Sequence, residues 1–440
     1  MKEVLIQIER FIWSVPQIAL LMISHIFFTI KLRFPQFKIF SVVGEIIKKR
    51  KEESKGEISS YKTLMATLAG TLGTGNIVGV ATAICIGGIG SIFWIFVSGF
   101  LAIATKYAET YIVLKYRKKD KTGYVGGAMY VLRDVLGNNL MAVLFSIFII
   151  IASFGIGAMI QSSSATQSLS SIFSLNEKIC GIVITAFCAY ILIGNAKKIT
   201  NVSSILVPFV SITYILMCAF IIFIYRGNIM TVIFEIINDA FNVKAAFSGS
   251  MYVYVLNKIS SGLSNGLFSN EAGMGSSPMF DVLANEKDIE KQSLISSFAV
   301  FCDTVLICTL TGITICSTFS YIGISDPIVL IGATFSKIPF GNILISISLI
   351  IFSITTIPCW NYYGTVAINF LFRNKKIYVI LYKLVYIAAI YVGAISDLEV
   401  IFLLSGIANA LMCIPNIYMI FMLNKEITIK SSHKIFTKMK

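Results

Sequence analysis

The stretch Gly70-Thr71-Leu72-Gly73-Thr74-Gly75-Asn76-Ile77-Val78-Gly79 places four glycines inside an apolar run. Each glycine costs about 1 kcal/mol relative to alanine in a helix interior, so the stretch predicts a break in a helix. At membrane depth, unpaired backbone groups are tolerated only where they are buried in protein or line a polar cavity. The stretch therefore predicts a binding site within a membrane. The alternative is tight helix packing through small residues, which needs fewer glycines.

The rest of the chain has the composition of a polytopic membrane protein. It has 440 residues, of which 56% are hydrophobic and only 13% charged, whereas soluble domains carry about 25% charge. We expect an all-α fold, because the apolar runs reach the roughly 20 residues that a spanning helix needs and exceed the strands of a membrane barrel. About eleven segments are predicted, at 11–31, 63–85, 89–113, 140–164, 177–196, 201–224, 247–284, 292–319, 340–371, 377–396 and 398–423.

The loop charges predict an orientation for these segments. If the N-terminus is outside, 27 of the 36 Lys and Arg residues fall in inside loops or the C-terminal tail, and six fall outside. Cytoplasmic loops carry such an excess of basic residues. We therefore expect an odd number of spans in the cell membrane, with the N-terminus outside and the C-terminus cytoplasmic. Because this topology explains the net charge of +14, nucleic acid is not expected as a partner.

A second glycine-rich break is predicted in the seventh segment, within Ser260–Pro278. Its end, Ser277-Pro278, is typical of a helix start, with serine as N-cap and proline in the first turn. Segments two to six and seven to eleven then form two five-helix units of opposite orientation, each opening with a broken helix. This pattern is typical of inverted-repeat secondary transporters.

The predicted organisation has four parts. Residues 1–62 hold a peripheral first span and a cytoplasmic linker, with an amphipathic pattern over 37–51. Residues 63–226 form the first repeat and 227–424 the second, inverted repeat. Residues 425–440 are a basic cytoplasmic tail.

The backbone of a broken helix suggests which ligands it binds. Unpaired N–H groups at a half-helix start suit a carboxylate, and free carbonyls at a half-helix end suit Na⁺. An amino acid with a coupling cation matches both. A dinucleotide loop is disfavoured because no strand precedes the glycines. An enzyme is disfavoured, because the sequence shows no recognisable catalytic nucleophile and no cluster of metal ligands.

Specific motifs strengthen this interpretation. They are GTGNIVGVATAICIGGIGSIFW (73–94), ATKYAE (104–109), GGAMY (126–130), GLFSNEAGMGSSP (266–278), DTVLICTLTG (303–312) and WNYYG (360–364). With these motifs the chain resembles the alanine or glycine:cation symporters, also called sodium:alanine symporters, which have the leucine-transporter-like fold. The resemblance extends over nearly the whole chain. It implies uptake of alanine or glycine coupled to Na⁺, by alternating access in the lipid bilayer, and it carries no expectation about oligomeric state.

The resemblance also implies site residues. Those expected to bind substrate are Thr71, Gly73, Thr74, Gly75, Asn76, Gln161, Gly273, Met274, Gly275 and Trp360. Those expected to bind sodium are the carbonyls of Ala69 and Leu72 with the hydroxyls of Thr355 and Thr356. The chain departs from the family pattern at Ser162–Ser164, Pro358 and Thr365. The serines bear on substrate preference more than on coupling.

Ionisable residues within the spans are costly and need partners. Lys106 and Glu109 lie one helical turn apart, so they are expected to pair. Glu271 is either an ion relay or gate, or a cap for the N–H groups of the second break. Asp303 is either a buried hydrogen-bonding post or a gate.

Two other functions remain open from the sequence. A proton-coupled amino acid permease would share the fold but not the sodium requirement. An ion channel would conduct without amino acid and would not need paired broken helices.

Overall fold

The computed structural model describes residues 2–13, 15–44, 46, 58–120, 123–241, 262, 266, 269–396 and 399–429. Within these ranges the fold is helical apart from a short antiparallel hairpin of β1 (Lys118–Asp120) and β2 (Gly123–Val125). The helices are α1 (Lys2–Ile12), α2 (Val15–Lys31), α3 (Ser60–Thr71), α4 (Val78–Gly87), α5 (Ser91–Lys115), α6 (Ala128–Asp134), α7 (Asn139–Phe173), α8 (Glu177–Leu192), α9 (Ala196–Ile224), α10 (Ile229–Ala240), α11 (Pro278–Asp281), α12 (Ile289–Ser317), α13 (Pro327–Phe335), α14 (Gly341–Leu371), α15 (Lys376–Ile395) and α16 (Glu399–Met422).

Seven of the described helices are long and apolar enough to cross a membrane. They are α5, α7, α9, α12, α14, α15 and the Leu403–Met422 part of α16. Most of the remaining expected spans are short or interrupted: α3 and α4 are the two halves of a broken segment, and α8 has 16 residues. The beginning of the expected seventh span, 247–261, lies outside the described residues.

The first expected span, 11–31, corresponds to α2, and the separate helix α1 precedes it. After α2, the chain bends by 72° into short 3₁₀ turns over Pro35–Val42. A segment at this angle can lie along the membrane surface, as the amphipathic pattern predicts. Glu45 and residues 47–51 of that pattern lie outside the described residues.

Helix packing relates the two halves of the chain. The second helices of the predicted repeats, α5 and α12, pack on each other, as do the third helices, α7 and α14, and the fourth, α8 and α15. The fifth helix of each half packs on the third helix of the other, α9 on α14 and α16 on α7. This reciprocal arrangement is what two equivalent five-helix units produce.

The N-terminal helices lie parallel to the last helix. Trp13 Nε1 donates to the carbonyl of Gly406 at 3.1 Å, and Gln17 Nε2 donates to that of Ala410 at 2.9 Å. Farther along, Lys31 Nζ contacts the carbonyl of Asn424. All three pairs have the same sequence separation of 393 residues, so the two segments run side by side in one direction.

Candidate functional site

The first predicted break is present. Helix α3 ends at Thr71, a 3₁₀ turn occupies Thr74–Asn76, and α4 begins at Val78. Between them Leu72 and Gly73 are extended, which interrupts the helical hydrogen bonds. The break is buried among other helices, so its polar backbone is shielded from lipid as membrane folding requires.

Oxygen atoms converge on Thr356 beside this break. Its Oγ1 lies 2.9 Å from the carbonyl oxygen of Ala69 and 3.1 Å from that of Leu72, both in the first broken segment. The carbonyl oxygen of Phe352, one turn earlier in α14, lies 2.8 Å away. A hydroxyl has one proton and can donate to only one of these carbonyls at a time. At most one of the Ala69 and Leu72 carbonyls can therefore accept this proton at a time, and a carbonyl oxygen that does not accept it is available to a hard cation.

Thr355 adjoins this group of oxygens through its own helix. Its Oγ1 lies 3.0 Å from the carbonyl of Ile351 and 2.9 Å from that of Phe352. The Phe352 carbonyl is thus shared by both threonine hydroxyls. The sequence analysis named both threonines and the carbonyls of Ala69 and Leu72, but not the carbonyl of Phe352, which lies four residues before Thr356 in the same helix.

Gln161 lies against the first break. Its Oε1 accepts a hydrogen bond of 3.5 Å from the N–H of Thr74. Its amide is also close to Gly73, because a Cβ built there would lie 3.2 Å from both Oε1 and Nε2. Gln161 is the residue at which a π-helical stretch of α7, Ser153–Ile160, returns to α-helix. Such insertions in a helix are frequent at functional sites.

Trp360 and Tyr363 close the other side of the break. The indole Nε1 of Trp360 donates to the carbonyl of Gly70 at 3.2 Å. The two rings meet edge to face with centroids 5.6 Å apart. The Tyr363 hydroxyl is buried with no hydrogen-bond partner, and a Cβ at Gly70 would lie 2.5 Å from it. Tyr363 was not named from the sequence, although it lies in the quoted WNYYG motif.

Asp303 connects the first broken segment with the second. Its Oδ1 accepts from Asn76 Nδ2 at 2.6 Å, and its Oδ2 accepts from the hydroxyls of Ser269 at 2.9 Å and Thr304 at 2.7 Å. Asn76 Oδ1 in turn accepts from the N–H of Gly73 at 3.0 Å. These contacts are those of the hydrogen-bonding post, one of the two roles considered for Asp303.

At the second break, a carboxylate of the protein itself accepts hydrogen bonds from the free backbone N–H groups. The N–H groups of Gly273 and Gly275 donate to Glu109 Oε2 at 3.0 and 3.2 Å, and Asn416 Nδ2 donates to the same oxygen at 2.9 Å. The Met274 N–H donates to the carbonyl of Glu271. In this conformation these N–H groups are therefore not available for a ligand carboxylate, in contrast to the role that the resemblance implied for Gly273, Met274 and Gly275.

The expected ion pair is present and forms part of this arrangement. Lys106 Nζ lies 3.3 Å from Glu109 Oε1, and both side chains are almost fully buried. Lys106 Nζ also contacts the Ser277 hydroxyl. Ser277 precedes Pro278 at the predicted helix start, but its side chain makes no capping bond, and α11 has only four residues.

Glu271 is not the cap of the second break. It adopts φ +52° within the break, and its carboxylate accepts from the Ser276 hydroxyl. The carboxylate that satisfies the N–H groups comes instead from Glu109 on α5. Sequence spacing could not reveal this contact, because Glu109 and Gly273 are separated by 164 residues.

A cavity of about 560 Å³ lies on the α4 side of the first break. One wall carries Ser164, Gln167, Ser168 and Ser171, which share a face of α7 one to three turns beyond Gln161. The opposite walls come from α13 and the first turns of α14. These helix ends belong to the side that the loop charges predict to be outside.

Paired broken helices in two packed helical units are typical of secondary transporters. Solved structures with the same fold include MhsT in complex with L-phenylalanine, with a TM-score of 0.59 and 13% identity, covering 84% of this chain and 90% of that one. A Na⁺-coupled sialic acid symporter gives a TM-score of 0.55 and 14% identity, covering 90% of this chain and 86% of that one.

The chain belongs to the sodium:alanine symporter family, whose family model matches residues 1–439. It is 36% identical to an uncharacterised transporter of Haemophilus influenzae, over 100% of this chain and 97% of the relative. It is 34% identical to the sodium/alanine symporter AgcS of Methanococcus maripaludis, over 95% and 93% of the two chains. A probable sodium/glutamine symporter of Bacillus subtilis is 30% identical over 94% and 87%. The chain is thus a multi-pass membrane transporter for sodium-coupled amino acid symport, not an enzyme.

Proposed function

We propose that this symporter takes up small neutral amino acids, alanine and glycine, together with Na⁺ and by alternating access. The observation that carries the proposal is the convergence of the Ala69, Leu72 and Phe352 carbonyl oxygens on Thr356 Oγ1. These oxygens come from both halves of the chain, α3 and α14. A cation bound among them would hold the first break against α14, which couples ion binding to the geometry of the substrate site.

The substrate would bind at the first break, near Thr71 and Gly75 and between Gln161 and Trp360. Its carboxylate would meet N–H groups at the start of α4, where the helix dipole is positive. Support for a small side chain comes from the close walls, since Gln161 adjoins Gly73 and Tyr363 adjoins Gly70. A relative named as a sodium/alanine symporter also favours alanine.

The proposed orientation puts the N-terminus outside and the C-terminus in the cytoplasm. The proposed repeats are residues 63–226 and 227–424, with 1–62 and 425–440 outside them. In this orientation both Na⁺ gradient and membrane potential drive uptake. At 100 mV one charge contributes about 2.3 kcal/mol, and a tenfold Na⁺ gradient adds about 1.4 kcal/mol. One Na⁺ could therefore support an accumulation of the amino acid of roughly 500-fold.

Uptake by proteoliposomes tests the coupling ion. Labelled alanine is offered with an inward Na⁺ gradient, and then with K⁺ in place of Na⁺ at the same pH. We expect uptake to need Na⁺; undiminished uptake in K⁺ that instead follows a proton gradient would identify a proton-coupled permease. Current that flows without amino acid would indicate a channel. Competition by unlabelled glycine, alanine and glutamine then ranks the substrates.

The variant Thr356→Val tests the proposed cation site. It removes the oxygen at the centre of the group while keeping the side-chain shape. We expect the Na⁺ concentration for half-maximal uptake to rise about tenfold or more, as for the loss of one charge-assisted contact of about 1.5–3 kcal/mol. Thr334→Val is the matched control, because its buried hydroxyl donates only to Leu330 within α13. Equal Na⁺ dependence in both variants would remove Thr356 from the site.

A further inference from the structure

The cytoplasmic end of the second broken helix is held by a single arginine. Arg117 Nη1 donates to the carbonyls of Val282 at 3.1 Å and Ala284 at 2.8 Å, and its Nη2 donates to that of Glu286 at 2.9 Å. Its guanidinium carbon also lies 4.1 Å from the ring centroid of Tyr124, in the β-hairpin. Arg117 follows the end of α5 by two residues, so it ties α11 to α5 and to the hairpin.

These carbonyls need a donor from elsewhere. Helix α11 ends at Asp281, and Val282, Ala284 and Glu286 lie in the non-helical stretch that follows it, where a carbonyl has no helical N–H partner. A guanidinium offers five N–H groups in a fixed plane and can serve several carbonyls at once, which the compact ammonium of lysine does less well.

The same chain segment is tied to the first broken helix. Ala284 forms a parallel backbone bridge with Ile58, and the N–H of Asn285 donates to the Ile58 carbonyl at 3.0 Å. Just beyond the bridge, Ser60 is buried at the start of α3. The cytoplasmic ends of both broken helices are therefore joined to each other, and Arg117 fixes the joined ends to α5.

A cavity lies on the side of the molecule opposite to the Arg117 contacts. This cavity of about 560 Å³ lies beside α7, α13 and the start of α14, and its lining includes Val78, the residue at which α4 begins after the break. One side of the molecule therefore has a cavity next to the start of α4, whereas the other side is tied by backbone and guanidinium contacts. In an alternating-access cycle the tied side must release before the solute can leave there.

We propose that Arg117 keeps the inner gate closed, where the inner gate is the pair of joined cytoplasmic ends of the two broken helices. It holds the end of α11 closed while the outer cavity is open, and its three contacts must break when the inner side opens. Arg117 is a positioning residue: it touches neither substrate nor cation, and it acts on the balance between outward-open and inward-open states. This proposal rests on the proposed function, since it assumes that the two states alternate during transport.

Two reporter cysteines measure that balance without substrate. Ser60→Cys places a thiol at the tied inner end, and Ser164→Cys places one in the outer cavity. Each is introduced into the full chain, alone and with Arg117→Ala, and reconstituted in vesicles of known orientation. Labelling by an impermeant maleimide, added from the side of each reporter, is followed by mass spectrometry of the peptide that contains it.

We expect Arg117→Ala to raise the labelling rate at position 60 by about tenfold, a change of about 1.4 kcal/mol, and to lower the rate at position 164. Arg117→Lys should give intermediate rates, because an ammonium keeps the charge but not the planar set of donors. Lys118→Ala is the matched control, because this neighbour is exposed and pairs only with the surface carboxylate of Asp134. It should leave both rates unchanged.

Two results would overturn the proposal. Unchanged rates at both positions in Arg117→Ala would mean that the arginine does not restrain the inner end. A rise at both positions would mean that the substitution loosens the fold instead of shifting the two states. Sodium-dependent uptake by the unsubstituted protein is measured separately, so a failure of the proposed function is distinguished from a failure of the role proposed for Arg117.

Discussion

At the scale of single residues, the site depends on a few large side chains that closely approach the backbone at glycine positions. Gly70 is a clear case, because its missing side chain leaves room for the Tyr363 hydroxyl while its carbonyl accepts from Trp360. Gly157 has a related role on the far side, where a Cβ would lie 2.2 Å from that of Trp360. In packing this dense, the addition of even one methyl group forces neighbouring atoms to move.

The variant Gly70→Ala should therefore abolish most uptake. Its Cβ would lie 2.5 Å from the Tyr363 hydroxyl, closer than non-bonded atoms allow, so the ring or the break must move. Adding Tyr363→Phe removes the colliding oxygen and should restore part of the activity, measured as initial uptake of labelled alanine. Gly227→Ala, in open space outside the site, is the control. Absence of any rescue would show that the Tyr363 hydroxyl is itself needed.

At the scale of elements, the two broken helices are stabilised by different means. The first break is held by neutral contacts from Gln161, Asn76 and Trp360. The second is held by the buried pair of Lys106 and Glu109. Such a pair is costly to bury and costly to break, because removal of one partner leaves an unpaired charge at membrane depth.

A double-mutant cycle on this pair should be strongly non-additive. Glu109→Gln and Lys106→Met should each lower the stability of the detergent-solubilised protein by about 3–5 kcal/mol, since each leaves a lone buried charge. The double variant should lose less than the sum of the two. Stability is measured as the shift in thermal unfolding midpoint of the purified protein. Additive shifts would mean that the two charges do not depend on each other.

At the scale of the whole molecule, the reciprocal packing of helices creates one site between two similar halves. The orientation that we propose for this site in the membrane rests on the loop charges. The parallel alignment of the first and last segments agrees with an odd number of crossings, because both then run in the same direction.

Thiol labelling in intact cells checks this orientation. Ser336→Cys lies between α13 and α14, on the side predicted to be outside, and Lys375→Cys lies between α14 and α15 on the inside. Both native side chains are exposed. An impermeant maleimide should label position 336 in intact cells and position 375 only after permeabilisation, with the unsubstituted protein as control for native cysteines. The reverse pattern would invert the proposed topology.

The class of fold, the first break, the ion pair of Lys106 and Glu109, and the family could all be predicted from the amino-acid sequence. These follow from local properties: helix-breaking glycines, apolar length, one-turn spacing and specific motifs. Two other contacts depend on the folded chain: Glu109 accepts from the N–H groups of Gly273 and Gly275, and Arg117 donates to the carbonyls that follow α11. The reason is physical: backbone N–H and C=O groups are the same at every residue, so which of them remain free depends on the distant side chains that the fold brings to them.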